Sequence, residues 1–370
     1  MKKKILFCAT IDTHIKAFHL PYLKWFKEKG WEVHVVANGN LELPYVDKKY
    51  SISIARSPFK IQNVKAFKEL RGIIEVNNYQ IIHCHTPMGG VLTRLAASRA
   101  RKMGTKVIYT AHGFHFYEGA PLKNWGIYYP IEKYLSRYND YLITLNEEDY
   151  LIAKHKFKTK YISLINGVGI DLNKYQPRTY VEKNELRKEF GYNSNDFILI
   201  YVGELSFRKH QDILINMISS LKIEIPTIKL LLVGTGPLLE KYKSQAIESG
   251  VKDNIDFLGF REDVNKLMSL SDIAISSSRQ EGLPVNILEA MATGLPIIVS
   301  DCRGNRDLIK DNINGILINT NNLAGFSQAV LRLYNSKEEV TRFKAQNLEF
   351  IKSYSIETII KQYEAIYQVE

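Results

Sequence analysis

Cysteine is scarce in this 370-residue chain: Cys8, Cys84 and Cys302 are its three thiols. They are too few and too far apart for a disulfide framework, and are read as reduced thiols of a cytoplasmic protein. No stretch approaches the roughly 18 consecutive apolar residues of a membrane span. The opening MKKKILFCAT carries the charge of a secretory leader without its apolar length, since Asp12, Thr13 and His14 follow at once. A first strand buried on both faces is expected there. No Asp-x-Asp pair occurs, so a metal-bridged diphosphate has no support in the sequence, and no metal or other cofactor is expected. Neither a Gly-x-Ser-x-Gly elbow nor a Gly-Lys-Ser/Thr phosphate loop is present. Acidic residues are outnumbered, 39 against 50 basic ones, leaving a net charge of +11. Such a chain suits nucleic acid, an anionic membrane surface or phosphorylated ligands. With no nucleic-acid motif present, the last two are the expected partners.

What is present is an alternation of strands and helices, repeated once. Strand-like runs at 4–9, 32–37, 81–84, 106–110 and 142–145 alternate with helical stretches at 18–29, 64–77 and 91–102. A polar stretch at 173–184, with Pro177, reads as a linker. The pattern then restarts, with strands at 197–202, 229–233, 255–258, 272–276, 297–299 and 316–318. Alternation of this kind predicts parallel sheets covered by helices on both faces. The length suits two domains. They are placed at 1–172, completed by a C-terminal helix at about 354–370, and at 173–353.

The stretch SSSRQEGLPVNILEAMATGLPIIVSD, residues 276–301, reads as strand, loop, helix, strand. Pro284 suits a helix start and Gly294 a helix end. Glu281 falls in the loop and Glu289 in the helix. Loops at the carboxyl ends of parallel strands open on the ligand crevice of α/β sheets, where carboxylates accept hydrogen bonds from sugar hydroxyls. By spacing alone, a solvated helix residue and a polar loop residue are the simpler reading of the two. The run YVGELSFRKHQ ends a strand at Gly203 and follows it with Arg208 and Lys209, cations suited to a diphosphate leaving group. Val233-Gly234-Thr235-Gly236-Pro237 is a tight strand-to-helix turn. His83 and His85 share a strand face, which suits zinc. No cysteine or carboxylate completes the set, so packed histidines are the simpler reading and the expected metal ligands are none.

The run EGLPVNILEAMATGLPIIVSD resembles the glutamate-x7-glutamate motif of the retaining glycosyltransferases of family 4, which have the GT-B fold. The resemblance covers nearly the whole chain and is strongest at 197–319. KAFHLPYLKWF, HCHTPMGG and TAHGFHFYEGAPLKNW are similar to exopolysaccharide and capsule glycosyltransferases. The resemblance implies an α/β, GT-B chain of two Rossmann-like domains with parallel sheets facing a central cleft. It implies transfer of a sugar from a nucleotide diphosphate to a lipid-linked glycan, at the inner face of the cell membrane. A UDP-sugar is the favoured donor, with UDP-N-acetylhexosamine first. Glu281, Lys209 and His112 are the catalytic set it implies. Gly203, Arg208, Gly234, Gly236, Phe260, Arg261, Gly282, Leu283, Pro284 and Glu289 complete the donor site, with Glu289 on the ribose and His112 on the sugar. His14 and His85 stand on the acceptor side. In two places the chain departs from the family pattern. Glu204 stands where arginine is usual, and Thr10–His14 lacks the usual glycine-rich loop. Two other activities fit the same motifs: a GT-B nucleotide-sugar epimerase, and a non-catalytic nucleotide-sugar-binding partner of a synthase.

Overall fold

The computed structural model describes residues 2–368. The chain divides into two units, one running to Gly169 and taking in the tail from Ile356, the other spanning Ile170–Ser355. The first is built on a seven-stranded sheet of β1 (Lys4–Ile11), β2 (Glu32–Asn38), β3 (Lys48–Ser51), β4 (Ile81–His85), β5 (Lys106–Ala111), β6 (Tyr141–Thr144) and β7 (Tyr161–Leu164), in the order β3-β2-β1-β4-β5-β6-β7. The second has β8 (Phe197–Val202), β9 (Ile228–Val233), β10 (Ile255–Gly259), β11 (Ile273–Ser276), β12 (Ile297–Ser300) and β13 (Ile316–Ile318), in the order β10-β9-β8-β11-β12-β13. Every pairing is parallel. In each sheet the strand order reverses once, between β1 and β4 and between β8 and β11. Ligands bind outside the carboxyl ends of the strands at such a reversal.

The central strands are largely apolar because both of their faces are covered. In β8 and β9 the side chains alternate between two cores. Leu199, Tyr201, Leu230 and Leu232 enter one, and Ile198, Ile200, Leu231 and Val233 the other. This is the period-2 geometry of a strand buried on both sides. All three cysteines are buried and free.

The polar stretch 173–184 is only in part a linker. Its end starts a helix, Tyr180–Glu189, because Thr179 and Glu182 form a reciprocal capping box. The Thr179 hydroxyl accepts from the Glu182 amide and the Glu182 carboxylate from the Thr179 amide. The helix expected over 18–29 is found at Leu20–Glu28, and a separate short helix, Asp12–Phe18, precedes it across His19. Pro284 is the residue before its helix, Val285–Ala292, rather than the first residue within it. A short helix at Arg303–Leu308 and the edge strand β3 are additions to the sequence reading.

The last helix, Ile356–Tyr367, packs on the first unit through Ile359, Tyr363, Ile366 and Tyr367, which lie on one face. Tyr363 meets Tyr22 edge-on at 5.0 Å between ring centroids. The Tyr367 hydroxyl lies 2.7 Å from His83 Nδ1.

Candidate active site

In the second unit the loops after β8 and β11 meet at the reversal of strand order. Lys209 Nζ donates to Glu281 Oε1 at 2.6 Å, and both side chains are nearly out of solvent, 8% and 6% exposed. Arg208 reaches the other carboxylate oxygen at 3.3 Å from a more exposed position. Burial alone would raise the Glu281 pKa, but the adjacent Lys209 and Arg208 charges outweigh it and hold the carboxyl below its ordinary value. Glu281 is therefore ionised at neutral pH, and it holds two cations over the strand ends.

The lysine is itself held from behind. Tyr201 Oη donates to the Lys209 carbonyl at 3.0 Å, and Ser277 Oγ donates to the His210 carbonyl at 2.7 Å. His210 has φ +55°, unusual for a residue other than glycine, and these bonds fix it there. Gly203 leaves room for the lysine stem, since a Cβ there would stand 3.3 Å from Lys209 Cε. Gly234 and Gly236 also make room. A Cβ on the first would collide with the Gly203 carbonyl, and on the second with the Leu205 carbonyl. Gly234 N also donates to the Gly259 carbonyl at 2.8 Å, bringing in the segment that carries Phe260 and Arg261. Phe260 is 76% exposed. Arg261 is paired with Asp263 through two N–H donors.

The loop of Gly282, Leu283 and Pro284 is braced by the helix Arg303–Leu308. Arg303 Nε donates to the Glu281 carbonyl at 2.9 Å, and Gly304 packs so closely that a Cβ would strike the Gly282 carbonyl. Glu289 lies on the helix Val285–Ala292, half-buried beside Tyr175. Burial pushes its carboxyl up to about 7, against the opposing effects of the Tyr175 hydrogen bond and the Lys174 charge. Glu204 is exposed, and its carbonyl accepts from Gln211 Nε2. Arg208 is thus the second cation beside Lys209.

In the first unit, His14, His19, His85 and His112 gather where β1, β4 and β5 end. The rings of His19 and His85 lie 3.9 Å apart, and those of His14 and His112 4.6 Å apart, edge to face. His112 Nε2 is 3.4 Å from His85 Nδ1. Burial holds His19, His85 and His112 well below the ordinary histidine value and His14 at about 4, so the cluster is neutral. His83, paired with His85 in the sequence reading, is already committed to Tyr367 and to Thr110 Oγ1 at 2.8 Å. Asp12 is occupied as well, accepting from Leu41 N at 2.8 Å and Lys49 Nζ at 2.7 Å. Beside the cluster is a cavity of about 420 Å³ lined by His14, Met88, Tyr109, Phe114, Phe116 and Tyr128 among others.

Sequence reasoning passed over Tyr201, Ser277, Arg303, Gly304 and Tyr175. The serine triplet Ser276–Ser278 was a usable signal, because three hydroxyls at the end of a buried strand need carbonyls to bond. Tyr175 was hidden in the stretch read as linker.

Two family models match the chain. Residues 182–350 match "Glycosyl transferases group 1", and residues 4–146 match "Glycosyl transferase 4-like". A Bacillus subtilis protein described as putative glycosyltransferase EpsD is 47% identical over 99% of this chain and 97% of its own length. An Escherichia coli UDP-Gal:alpha-D-GlcNAc-diphosphoundecaprenol alpha-1,3-galactosyltransferase is 32% identical, covering 77% and 74%. Among solved structures, Anabaena Alr3699/HepE in complex with UDP and glucose superposes with a TM-score of 0.82 at 19% identity, covering 98% and 99%.

Proposed function

The chain belongs to the group 1, family 4-like glycosyltransferases of GT-B fold, and on that premise we propose a retaining transfer from a UDP-sugar to a hydroxyl of a lipid-linked glycan in cell-surface polysaccharide synthesis. The observation that carries this reading is the buried Glu281–Lys209 pair, with Arg208 beside it, at the strand-order reversal of the second unit. In the proposed reaction the bond from the sugar's anomeric carbon to the diphosphate oxygen breaks. A bond to the acceptor oxygen forms on the same face, and the acceptor proton passes to the leaving phosphate. UDP and the lengthened glycan are the products. Lys209 and Arg208 neutralise charge as it grows on the diphosphate, a contribution stronger in the transition state than in the bound donor. Glu281 orients both cations and faces the sugar as its carbon becomes positive. Glu289 accepts from the ribose hydroxyls. The braced loop at 282–284 and the turn of Gly234 and Gly236 supply backbone groups to the nucleotide.

The acceptor is assigned to the first unit's cavity, whose aromatic lining suits sugar faces. No helix among the described residues is long and apolar enough to cross a membrane. Exposed Phe59 and Ile61 flank Lys60, and exposed Leu122 precedes Lys123. This mixture of apolar and basic side chains suits an anionic membrane surface.

The test is a transfer assay with labelled UDP-sugars, UDP-N-acetylhexosamines first, and diphosphoundecaprenol-linked acceptors in vesicles. Labelled lipid and UDP are expected, at the same rate with and without added magnesium or manganese. Free sugar-nucleotide epimer without labelled lipid would instead identify an epimerase. Nucleotide binding with neither product would identify a binding partner.

A pH dependence follows from Glu289. Ribose hydroxyls donate to its ionised form, whereas the free protein holds it at about 7. UDP affinity is therefore expected to rise as pH increases through 7, approaching about tenfold per unit on the acid side for one linked proton. Calorimetry between pH 6 and 8 checks this, and Glu289→Gln should flatten the profile. A flat wild-type profile would remove Glu289 from the ribose.

A further inference from the structure

We propose that His14, His19, His85 and His112 bind a transition-metal ion in the first unit, through one nitrogen of each imidazole. One candidate nitrogen on each ring lies within 4.8 Å of those on all the others. The Nε2 atoms of His14, His19 and His85 are buried and have no hydrogen-bond partner. One such nitrogen is a packing exception; three within a single group of four clustered imidazoles leave buried nitrogens that a common partner would satisfy. A tetrahedral ion with bonds of about 2.0 Å requires its nitrogens about 3.3 Å apart. His14 and His112 are the two half-buried members, and in the proposed site it is their rings that turn toward the ion.

The chemistry of the donors selects the ion. Four neutral nitrogens, with neither thiolate nor carboxylate among them, suit zinc, cobalt, nickel or copper(II). They do not suit magnesium or manganese, which favour oxygen ligands. This site is therefore separate from the diphosphate chemistry assigned to the second unit, and its occupancy does not depend on that assignment. His83 is the outer support. Its ring lies 4.1 Å from that of His85, and Tyr367 and Thr110 hold it on either side. Bound there, the ion ties the helical segment 12–28 to the ends of β4 and β5, beside the cavity that His14 lines. A ring that gives one nitrogen to the ion retains the other as an N–H donor, so ligation by His112 leaves it able to meet a sugar hydroxyl.

The experiment uses the full chain, purified without a metal-affinity tag, stripped with a chelator and titrated with cobalt(II). A visible absorption band of four-coordinate cobalt is expected, saturating at about one ion per chain and displaced by zinc. His19→Gln and His85→Gln should abolish the band, while the exposed His155→Gln retains it. X-ray absorption on the zinc form of the wild type needs no variant to fold, and four nitrogen neighbours at about 2.0 Å are expected. Failure of the wild type to bind cobalt, a band that survives His85→Gln, or an oxygen-rich zinc shell would each overturn the proposal.

Discussion

Replacing Lys209 with alanine is expected to lower turnover by on the order of 10²–10³, the usual loss when one donor to a developing charge is removed. The structure adds a second consequence. Lys209 is the close, buried partner of Glu281, and truncating one member of such a pair costs about 3–5 kcal/mol. Arg208 remains at 3.3 Å, so the lower end of that range applies. The two effects separate in a cycle with Glu281→Gln, which removes the stranded charge. Melting temperature should partly recover in Lys209→Ala/Glu281→Gln, whereas turnover should not. If turnover recovers together with stability, Lys209 has a structural role alone and the diphosphate assignment fails.

The two glutamates should fail differently. Glu289→Gln keeps the side-chain size but loses the charge and one acceptor oxygen, so UDP binding is expected to weaken by roughly 1–3 kcal/mol. Glu281→Gln should leave UDP binding intact or tighter, because Lys209 is then free for the diphosphate. Its turnover should fall, since the carboxylate that faces the developing positive carbon is gone. Calorimetry with UDP beside steady-state kinetics distinguishes the pair. Wild-type UDP affinity in Glu289→Gln contradicts the ribose role. Lost affinity with retained turnover at saturation in Glu281→Gln would mean that the two roles are exchanged.

The sheets were legible because buried parallel strands are written as nearly continuous apolar runs, FILIYV and IKLLLV among them. The polar edge strand KKYS carried no such signal. The helix at 180–189 was hidden because its stability begins with a capping box rather than an apolar stripe. In the candidate site, Glu281, Lys209 and Glu289 stood out through the resemblance of their surroundings to family motifs, charge and spacing alone favouring solvated residues. What holds them did not. Tyr201, Ser277 and Arg303 act through the backbone carbonyls of Lys209, His210 and Glu281, which lie 8, 67 and 22 residues away in sequence, and such bonds leave no local pattern. The histidine cluster illustrates the same limit. The sequence displays His83 and His85 side by side, but only the fold brings in His14, His19 and His112 and takes His83 away.

The last helix has a consequence for the order of synthesis. Tyr363 and Tyr367 cover Tyr22 and His83, residues of the first unit that precede the second unit in the chain. The whole of the second unit is translated in between. At about 5–20 residues per second, the first unit waits on the order of ten seconds or more for its final piece. It is begun first and finished last. Until the last helix is made, Tyr22 and His83 lack the rings of Tyr363 and Tyr367 that meet them in the folded chain.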